Sequence, residues 1–339
     1  MAKKLLRRRK PDRTRQIRWA VQAAFLALNV WIGIQFYLWV RHYETGGAWP
    51  RVGRPPGVEG WLPIASLMNL KVLLLEGRVP AVHPAGVFLL IAFLSISLLL
   101  RKSFCSWLCP VGTVSEWLWR LGRQTFRRNF RLPRWADWPL RSLKYILLGL
   151  FLYAVGSMSV PAIEAFLNGP YGIIADVKML NFFRFLSVTA AIVLGALILA
   201  SVFVQNFWCR YLCPYGALLG LLARFSPARI RRDPEICIDC AKCAQACPSL
   251  LPVDKLITVR SPECTGCYDC VAICPAEGAL WMSAAGRKRR LPAWGMAAAI
   301  ALLFFGIVGY ARMADRWQTY LPDAVYFQLV PRANEFSHP

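Results

Sequence analysis

The sequence predicts a predominantly α-helical membrane protein, a bundle of five transmembrane helices with one module inserted outside the membrane. Two observations lead to this fold class. The 339 residues are 57% hydrophobic with a mean hydropathy of +0.40, more apolar than is usual for a soluble domain. Five apolar stretches also approach the roughly 20 residues that a helix needs to cross a bilayer. They are residues 20–40, 82–100, 143–160, 185–207 and 292–310.

Two further stretches of the chain qualify this bundle. Residues 64–75 are apolar but short, and they include Lys71, so we expect an interfacial or re-entrant helix there. The basic residues 3–18 lead directly into the first apolar stretch without the small-residue site of a cleavable signal peptide. We therefore expect the first span to be retained.

Positive charge is concentrated on one side of the predicted spans. The formal net charge is +23, and residues 1–18, 101–144 and 209–291 hold 31 of the 41 Lys and Arg but only 10 of the 18 Asp and Glu. Because basic loops stay in the cytoplasm, these segments are expected to be cytoplasmic and the C-terminus outside, in the inner membrane of a prokaryote. Anionic membrane lipid is then the expected partner of the basic residues. Nucleic-acid binding is not expected, because no basic patch interleaved with aromatic residues stands apart from the spans.

The 12 cysteines all lie in four short motifs, and two of these run C-x-x-C-x-x-C-x-x-x-C-P. Bacterial ferredoxins bind [4Fe–4S] clusters with this spacing, and in two-cluster ferredoxins the last cysteine of each run ligates the other cluster. One cluster is therefore assigned to Cys237, Cys240, Cys243 and Cys274, and the second to Cys264, Cys267, Cys270 and Cys247. Zinc is the alternative, but zinc sites use C-x-x-C pairs rather than triplets followed by C-P.

The other four cysteines form two copies of C-x-x-x-C-P, in residues 104–112 (FCSWLCPVG) and 208–216 (WCRYLCPYG). Each copy follows the cytoplasmic end of a predicted span, which indicates a pseudo-symmetric pair of helices. Positions i and i+4 share one face of a helix, so four thiolates could ligate a further iron–sulfur centre. These residues are Cys105, Cys109, Cys209 and Cys213. A reactive thiol pair without metal and small buried residues in helix packing remain alternatives.

The predicted organisation has five parts. They are a basic cytoplasmic N-terminus (1–19), a four-helix membrane part with both C-x-x-x-C-P motifs (20–223), a cytoplasmic α+β two-cluster ferredoxin module (224–290), a fifth transmembrane helix (291–311) and an extracytoplasmic tail (312–339).

The cysteine motifs resemble those of a known family. Paired C-x-x-x-C-P motifs at span ends, together with a two-cluster ferredoxin run, are similar to the NapH/NosR-type membrane polyferredoxins over about residues 17–311. The resemblance implies quinol-linked electron transfer to or from a partner redox protein or complex, as in periplasmic nitrate and nitrous oxide reductase systems. We expect the chain to lack the large extracytoplasmic flavin-binding domain of NosR and the long C-terminal domain of CcoG-type assembly proteins.

Three functions follow from these features. The leading hypothesis is an electron-transfer component, rather than a stand-alone enzyme, that relays electrons between membrane quinone and a partner through its iron–sulfur clusters. The alternative is a maturation factor that reduces a metal or a thiol of another enzyme. A redox sensor is the third, although no signalling domain is recognised.

The predicted outer segments offer weaker candidates. His42 and His83 end the first span and open the second, where they could ligate a b-type haem, bind a quinone or line the interface. A quinol site beside the helix at 64–75 would need a proton acceptor. The carboxylates nearby are expected to be solvated loop charges, and they are Glu59, Glu76, Glu164 and Asp176. The tail aromatics are expected to form an interfacial belt or a docking surface, and they are Trp317, Tyr320, Tyr326 and Phe327.

Overall fold

The computed structural model describes residues 13–127, 129–284 and 289–338, and these form two units. One unit holds all 12 cysteines and is called the cysteine unit. It comprises the described residues up to Leu26, Phe93–Leu148 and the described part of Gly195–Leu303. The other holds all three histidines and is called the histidine unit. It comprises Ala27–Ala92, Gly149–Leu194 and the described residues from Phe304 onward.

The described residues contain fifteen α-helices. In chain order they are α1 (Thr14–Glu44), α2 (Pro63–Glu76), α3 (Pro84–Leu100), α4 (Phe104–Trp107), α5 (Pro110–Phe126), α6 (Arg134–Ser157), α7 (Val160–Asn168), α8 (Pro170–Ile173), α9 (Ala175–Arg184), α10 (Val188–Phe203), α11 (Pro214–Ala223), α12 (Lys242–Gln245), α13 (Asp269–Ile273), α14 (Ala293–Met313) and α15 (Asp323–Leu329). The shorter elements are a 3₁₀ turn at Pro56–Trp61, a π-helical turn at Trp208–Leu212 and the strands β1 (Arg229–Arg232) and β2 (Leu280–Ser283).

The prediction of a predominantly α-helical membrane protein is confirmed, but the helices differ from five straight spans. Among the described residues, α1, α14 and residues Trp135–Ser157 of α6 are each long and apolar enough to cross a membrane. A fourth span is obtained only by joining α9 and α10, which meet at 82°. The predicted second span is the 17-residue helix α3, which rises about 25 Å against a hydrocarbon core of about 30 Å.

The bend between α9 and α10 has a local cause. The sequence is apolar through this region and therefore predicts one straight span at residues 185–207. Phe185 instead ends α9, and the backbone N–H of Ala190 donates to the hydroxyl of Ser187 at 3.2 Å. A serine that accepts this bond starts a new helix, so α10 begins with its own cap and direction.

The apolar helix predicted at 64–75 is present as α2, and Lys71 has a defined role there. Its ammonium group donates to the carbonyl oxygens of Val155, Gly156 and Met158 at 3.2, 2.8 and 2.6 Å. The last carbonyls of a helix lack intrahelical partners and carry partial negative charge. Lys71 therefore caps the C-terminal end of α6.

The tail packs into the core of the histidine unit. Tyr326 of α15 and Trp39 of α1 are both buried, with ring centroids 4.9 Å apart in an edge-on arrangement. Trp317 is also buried, whereas Tyr320 is 64% exposed. An interfacial belt or docking surface therefore does not describe Tyr326 and Trp317, whose side chains are committed to internal packing.

Candidate iron–sulfur centres

The two C-x-x-x-C-P motifs end in the same local structure, although the first cysteine lies in α4 in one copy and in the π-helical turn in the other. The expectation that both cysteines of a motif share one helix face is wrong, because the second cysteine of each motif is extended. Cys109 precedes α5 and Cys213 precedes α11, and a proline occupies the first turn of each helix. The backbone N–H of Gly112 donates to the Cys109 sulfur at 3.4 Å, and that of Gly216 donates to the Cys213 sulfur at 3.2 Å. Each motif thus places its second cysteine at a helix N-terminus, where the backbone dipoles favour a thiolate.

The glycine that follows each C-P lies against a cysteine of its own motif. A Cβ atom at Gly112 would overlap the carbonyl oxygen of Cys105. A Cβ at Gly216 would lie 3.4 Å from the Lys102 ammonium and 3.6 Å from the Cys213 sulfur. Both copies can be written C-x-x-x-C-P-x-G, and a side chain at the last position would displace the first cysteine in residues 104–112 but would make only van der Waals contact in residues 208–216.

The structure brings the four cysteines of the two motifs into one neighbourhood. Burial raises the pKa of Cys105 to about 12 and that of Cys109 to about 11. The pKa of Cys209 is also raised, by burial and then by the nearby thiols of Cys213, Cys109 and Cys105. A free thiolate is unfavourable in such a site, whereas bound iron would supply the positive charge that offsets burial.

The charges around these cysteines favour an anionic group. Lys144 and Lys102 are buried and share one carboxylate, with ammonium-to-oxygen distances of 2.6 and 3.9 Å to Glu263. Burial alone would lower the pKa of Lys102, but Glu263 and the thiols of Cys105, Cys213 and Cys209 raise it above its usual value. Since a buried charge without a partner is costly, the surplus cation fits a negatively charged cluster held by thiolates.

The ferredoxin run folds as two matching halves. The strands β1 and β2 pair antiparallel, with Arg229 opposite Ser283 and Arg232 opposite Leu280. In both halves the residue before the second cysteine and the residue after it have positive φ. These residues are Asp239 (53°), Ala241 (54°), Gly266 (61°) and Tyr268 (62°). Side-chain-bearing residues rarely adopt this conformation, so the shape of each loop is set by the tight turns that present its cysteines.

The second ferredoxin group surrounds a single cavity. The cavity is lined by all four cysteines assigned to this cluster, Cys247, Cys264, Cys267 and Cys270. Its other walls are largely apolar, and they include Ile230, Leu251, Val253 and Val259. Burial raises the pKa of Cys270, and Cys267, Cys247 and Cys264 raise it further. The donor set and the dry walls fit a [4Fe–4S] cluster.

The first ferredoxin group is more open to solvent. Burial raises the pKa of Cys243 to about 11, with contributions from Cys274 and Cys237, so three of the four assigned cysteines lie close together. The fourth, Cys240, is the one exposed cysteine of the twelve, all of which lie in the described ranges. This grouping again pairs a C-x-x-C-x-x-C run with the final cysteine of the other run.

The paired motifs and the second ferredoxin group are directly connected. One cavity is lined by Cys105 and Cys209 of the paired motifs and by Cys267 of the ferredoxin run. The Ser106 hydroxyl donates to the carbonyl oxygen of Thr265 at 2.6 Å, and the Trp107 indole donates to that of Gly266 at 3.2 Å. Helix α4 therefore holds the loop that carries Cys264 and Cys267.

A buried ion network, not predicted from the sequence, fixes the same region. Arg18, fully buried in α1, donates to the two carboxylate oxygens of Glu116 at 2.6 and 2.7 Å. The same guanidinium lies 3.3 Å from Asp269, which begins α13. Asp269 precedes Cys270, so the network ties α1 and α5 to the ferredoxin run.

In residues 13–127, 129–284 and 289–338, no three His, Cys, Asp or Glu side chains converge on one point as a mononuclear site requires. In a cubane each thiolate binds a different iron atom, so the cysteines stand further apart.

Comparisons with known proteins agree with these motifs. The 4Fe-4S binding domain family matches residues 82–132 and 186–233, each containing one C-x-x-x-C-P, and the 4Fe-4S dicluster domain family matches residues 229–275. The Escherichia coli protein named "Putative electron transport protein YccM" is 50% identical over 324 residues, which are 94% of this chain and 91% of that relative. The E. coli ferredoxin-type protein NapH is 28% identical over 62% of this chain and 71% of its own length.

This chain belongs to the NapH/NosR-type family of 4Fe–4S membrane proteins. The regulatory protein NosR of Pseudomonas aeruginosa is 31% identical over 54% of this chain, but the match covers only 25% of that relative. Membership of the family confirms an iron–sulfur protein of electron transport. No solved structure matches the chain.

Outside its cysteine motifs, this NapH/NosR-type protein has a second buried polar cluster in the histidine unit. The Arg54 guanidinium lies 2.7 Å from Asp176 and 2.8 Å from Glu59. The prediction of solvated charges is wrong for these two carboxylates, because both residues are buried. Burial alone would raise the pKa of Glu59, but Arg54 and His83 outweigh it and hold the pKa below its usual value.

Hydrogen bonds engage both ring nitrogens of His83 and one ring nitrogen of His42. One ring nitrogen of His83, Nε2, lies 2.9 Å from the carbonyl oxygen of Gly172, and the other, Nδ1, lies 3.1 Å from the Arg54 guanidinium. The Nδ1 atom of His42 lies 2.6 Å from the carbonyl oxygen of Trp49. Because a carbonyl only accepts, Nε2 of His83 carries a proton, and both of its ring nitrogens are occupied.

The other two carboxylates, Glu76 and Glu164, are accessible to solvent as expected, although they lie in α2 and α7 rather than in loops. Glu76 and Glu164 are partly exposed and both pair with Arg78. These are ion pairs at the protein surface, and they are separate from the buried cluster around Arg54.

Proposed function

We propose that this chain is a membrane-bound electron-transfer protein with three iron–sulfur centres, which relays electrons between the quinone pool and a partner redox protein. The observation that carries the proposal is the cavity lined by Cys105, Cys209 and Cys267, because it makes the paired motifs and the ferredoxin run neighbours. Iron–sulfur clusters supply one-electron transfer, and close spacing suits electron hopping between them.

Each centre has a defined set of thiolates in this proposal. Cluster one is assigned to Cys237, Cys240, Cys243 and Cys274, cluster two to Cys264, Cys267, Cys270 and Cys247, and the third centre to Cys105, Cys109, Cys209 and Cys213. The residues around them position these ligands. Lys102 provides positive charge beside the third centre, while the amides of Gly112 and Gly216 donate to Cys109 and Cys213.

The proposed topology has five transmembrane helices, with the N-terminus and ferredoxin module in the cytoplasm and the C-terminus outside. Five apolar helices, α1, α3, α6, α10 and α14, each contribute residues to both units, which supports five spans. All four cysteine motifs lie in segments 101–144 and 209–291, where the basic residues are concentrated. The domain division 1–19, 20–223, 224–290, 291–311 and 312–339 is retained within this proposal.

The maturation-factor alternative rests on reactive thiols at the paired motifs. The raised pKa values of Cys105, Cys109 and Cys209 argue against it, since the thiolate is the reactive form. Thiol trapping of iron-loaded protein separates the two functions. Protection of these cysteines supports ligation, and complete labelling at all four motif positions supports the maturation factor.

Iron counting combined with EPR tests the third centre. The anaerobically purified protein should hold about twelve irons, and C105S/C209S should hold about eight with the ferredoxin signals retained. The matched variant C237S/C240S should lose a ferredoxin signal and keep the third centre. A wild-type content of about eight irons, unchanged in C105S/C209S, contradicts a third centre. Failure of every centre to be reduced by a quinol analogue, or oxidised by the quinone, contradicts the quinone relay.

A further inference from the structure

An open groove in the cysteine unit is separate from the cysteine cavities. It lies between the start of α1, the end of α5 and the two short ferredoxin helices α12 and α13. Its distinctive walls are four cations and two indoles, Arg15, Arg120, Arg123, Lys242, Trp19 and Trp119. No carboxylate of the described residues lines it, so the groove has a strongly positive lining.

Only part of this positive charge is neutralised. Arg120 lies 2.7 Å from Glu116 and 3.3 Å from Asp269, and its guanidinium stacks over the rings of Trp19 and Trp119 at 5.3 and 5.1 Å. Arg123 and Lys242 are exposed and have no carboxylate partner within the part of the chain that the structure describes. These two cations are therefore available to an anionic ligand.

Helix α5 shows which environment the groove faces. Up to Leu121 its outward side chains are apolar, with Val114, Trp117 and Leu121 exposed by 42%, 48% and 57% at helical spacings of three and four, and the exposed cation Arg123 follows in the last turn. Its buried face is polar and includes Thr113 and Glu116. This is the reverse of a helix on a water-soluble protein, and it matches a helix whose outer face contacts lipid.

The aromatic residues place the groove at the edge of the membrane. Trp19 is 44% exposed and lies in the first turns of α1, a candidate membrane span. Tryptophan is enriched at membrane–water interfaces, and basic pockets beside spanning helices on the cytoplasmic side bind anionic headgroups. A soluble acidic protein would be attracted by the four cations, but it would not account for the outward apolar face of α5.

We infer that this groove binds an anionic phospholipid. Arg123 and Lys242 hold the phosphate, Trp19 lies at the headgroup boundary, and the acyl chains follow Val114 and Leu121. Lys242 is the chain neighbour of Cys243, so the lipid would fasten the more open part of the ferredoxin run to the membrane surface. The inference stands on the groove alone and does not depend on the electron-transfer role.

Lipid titration of the full-length, iron-loaded protein tests this site. Detergent-solubilised protein is titrated with cardiolipin, phosphatidylglycerol and phosphatidylcholine, and bound lipid is counted by native mass spectrometry. The wild type should bind the two anionic lipids at least tenfold more tightly than phosphatidylcholine. R123Q/K242Q should weaken anionic-lipid binding by about thirtyfold, since each surface cation contributes about 1 kcal/mol.

The control removes the same charge elsewhere in the cysteine unit. K255Q/R260Q alters two exposed cations that do not line the groove and should bind lipid as the wild type does. Iron content checks the folding of each variant, and R123Q alone provides a test outside the ferredoxin run. Equal lipid affinity of R123Q, R123Q/K242Q and the control overturns the inference. Equal binding of phosphatidylcholine and the anionic lipids also overturns it. So does a parallel titration with a soluble acidic ferredoxin in which R123Q/K242Q loses protein binding while its lipid binding is unchanged.

Discussion

The buried charges of the two units are unbalanced in opposite directions. In the cysteine unit, two buried lysines share the single carboxylate of Glu263. In the histidine unit, two buried carboxylates share the single guanidinium of Arg54. Because an uncompensated buried charge is costly, each unit must supply the missing opposite charge or enough hydrogen bonds to replace it.

The two units meet this requirement differently. The surplus cation of the cysteine unit faces four thiols, and a cluster with thiolate ligands would provide negative charge. The surplus carboxylate of the histidine unit is stabilised by neutral donors within the protein. Glu59 accepts from the Gly86 amide at 3.0 Å and from the Thr319 hydroxyl at 3.2 Å, and Asp176 accepts from the Val177 amide at 2.9 Å. We therefore expect the stability of the cysteine unit to depend on bound iron–sulfur clusters, whereas the buried carboxylates of the histidine unit are satisfied by its own side chains and amides.

Removing Arg54 should have the largest effect on stability. In R54M, Glu59 and Asp176 lose their shared cation while remaining buried, so we expect a loss of about 3–5 kcal/mol in the free energy of unfolding. Thermal unfolding followed by near-UV circular dichroism measures it. The matched variant R51M removes an exposed pair with Asp323 and should cost less than about 1 kcal/mol. Equal losses in R54M and R51M would mean that the buried cluster does not carry the stability of its unit.

Acid should weaken the histidine unit through Glu59. Its pKa is lowered in the folded protein, so its contribution to stability is fully present above the ordinary carboxyl pKa of about 4.3 and is lost as the pH falls through the lowered value. We expect E59Q to lack this contribution and to show a shallower fall in melting temperature between about pH 5 and pH 3. E335Q, which changes a carboxylate exposed at the surface, should keep the wild-type slope. If the melting temperature of E59Q falls as steeply with pH as that of the wild type, Glu59 is not the source of the acid sensitivity of the histidine unit.

Neutralising Glu263 should have the smallest effect, and it is measured as a shift in the redox potential of the third centre. In E263Q the cluster remains as the anionic partner of Lys102 and Lys144, and their positive charge then favours its reduced, more negative form. We expect its potential to rise by roughly 40 mV, equivalent to about 1 kcal/mol. An EPR-monitored redox titration measures the shift, with the exposed Glu277 changed in E277Q as the control. If the potential is unchanged in E263Q, or is shifted equally in E277Q, then Lys102 and Lys144 do not influence the potential of the third centre.

The cysteine chemistry was predictable because ligand spacing is a local property of the chain. The spacing also predicted the two-part ferredoxin run, but it wrongly placed both cysteines of each C-x-x-x-C-P on one helix, since Cys109 and Cys213 are extended residues that precede α5 and α11. Residues brought together over long distances could not be predicted in this way. Arg18 and Glu116 are 98 positions apart, and Arg18 and Asp269 are 251 apart. From the sequence, Arg18 is one of the basic residues of the N-terminus, and no residue close to it in the chain indicates a buried partner.

Local residue composition led to wrong predictions in two places. Residues 185–207 read as one span because apolar character continues across Ser187, whereas a single hydroxyl cap redirects the helix. Glu59 and Asp176 read as solvated because isolated carboxylates in loops usually are. Their burial depends on Arg54, which is 122 positions away from Asp176 in the sequence.

The hydrogen bonds from Ser106 and Trp107 to the loop of Thr265 and Gly266 limit how this architecture can be altered. Each joins positions 159 residues apart and uses backbone carbonyls that any ferredoxin would possess. The donors, however, belong to α4, which precedes the ferredoxin run by more than a hundred residues. A ferredoxin domain transplanted from a soluble protein would therefore need its second cysteine loop held in the same orientation by these donors. Replacement of the ferredoxin segment by that of another protein is therefore limited by its hydrogen bonds to α4.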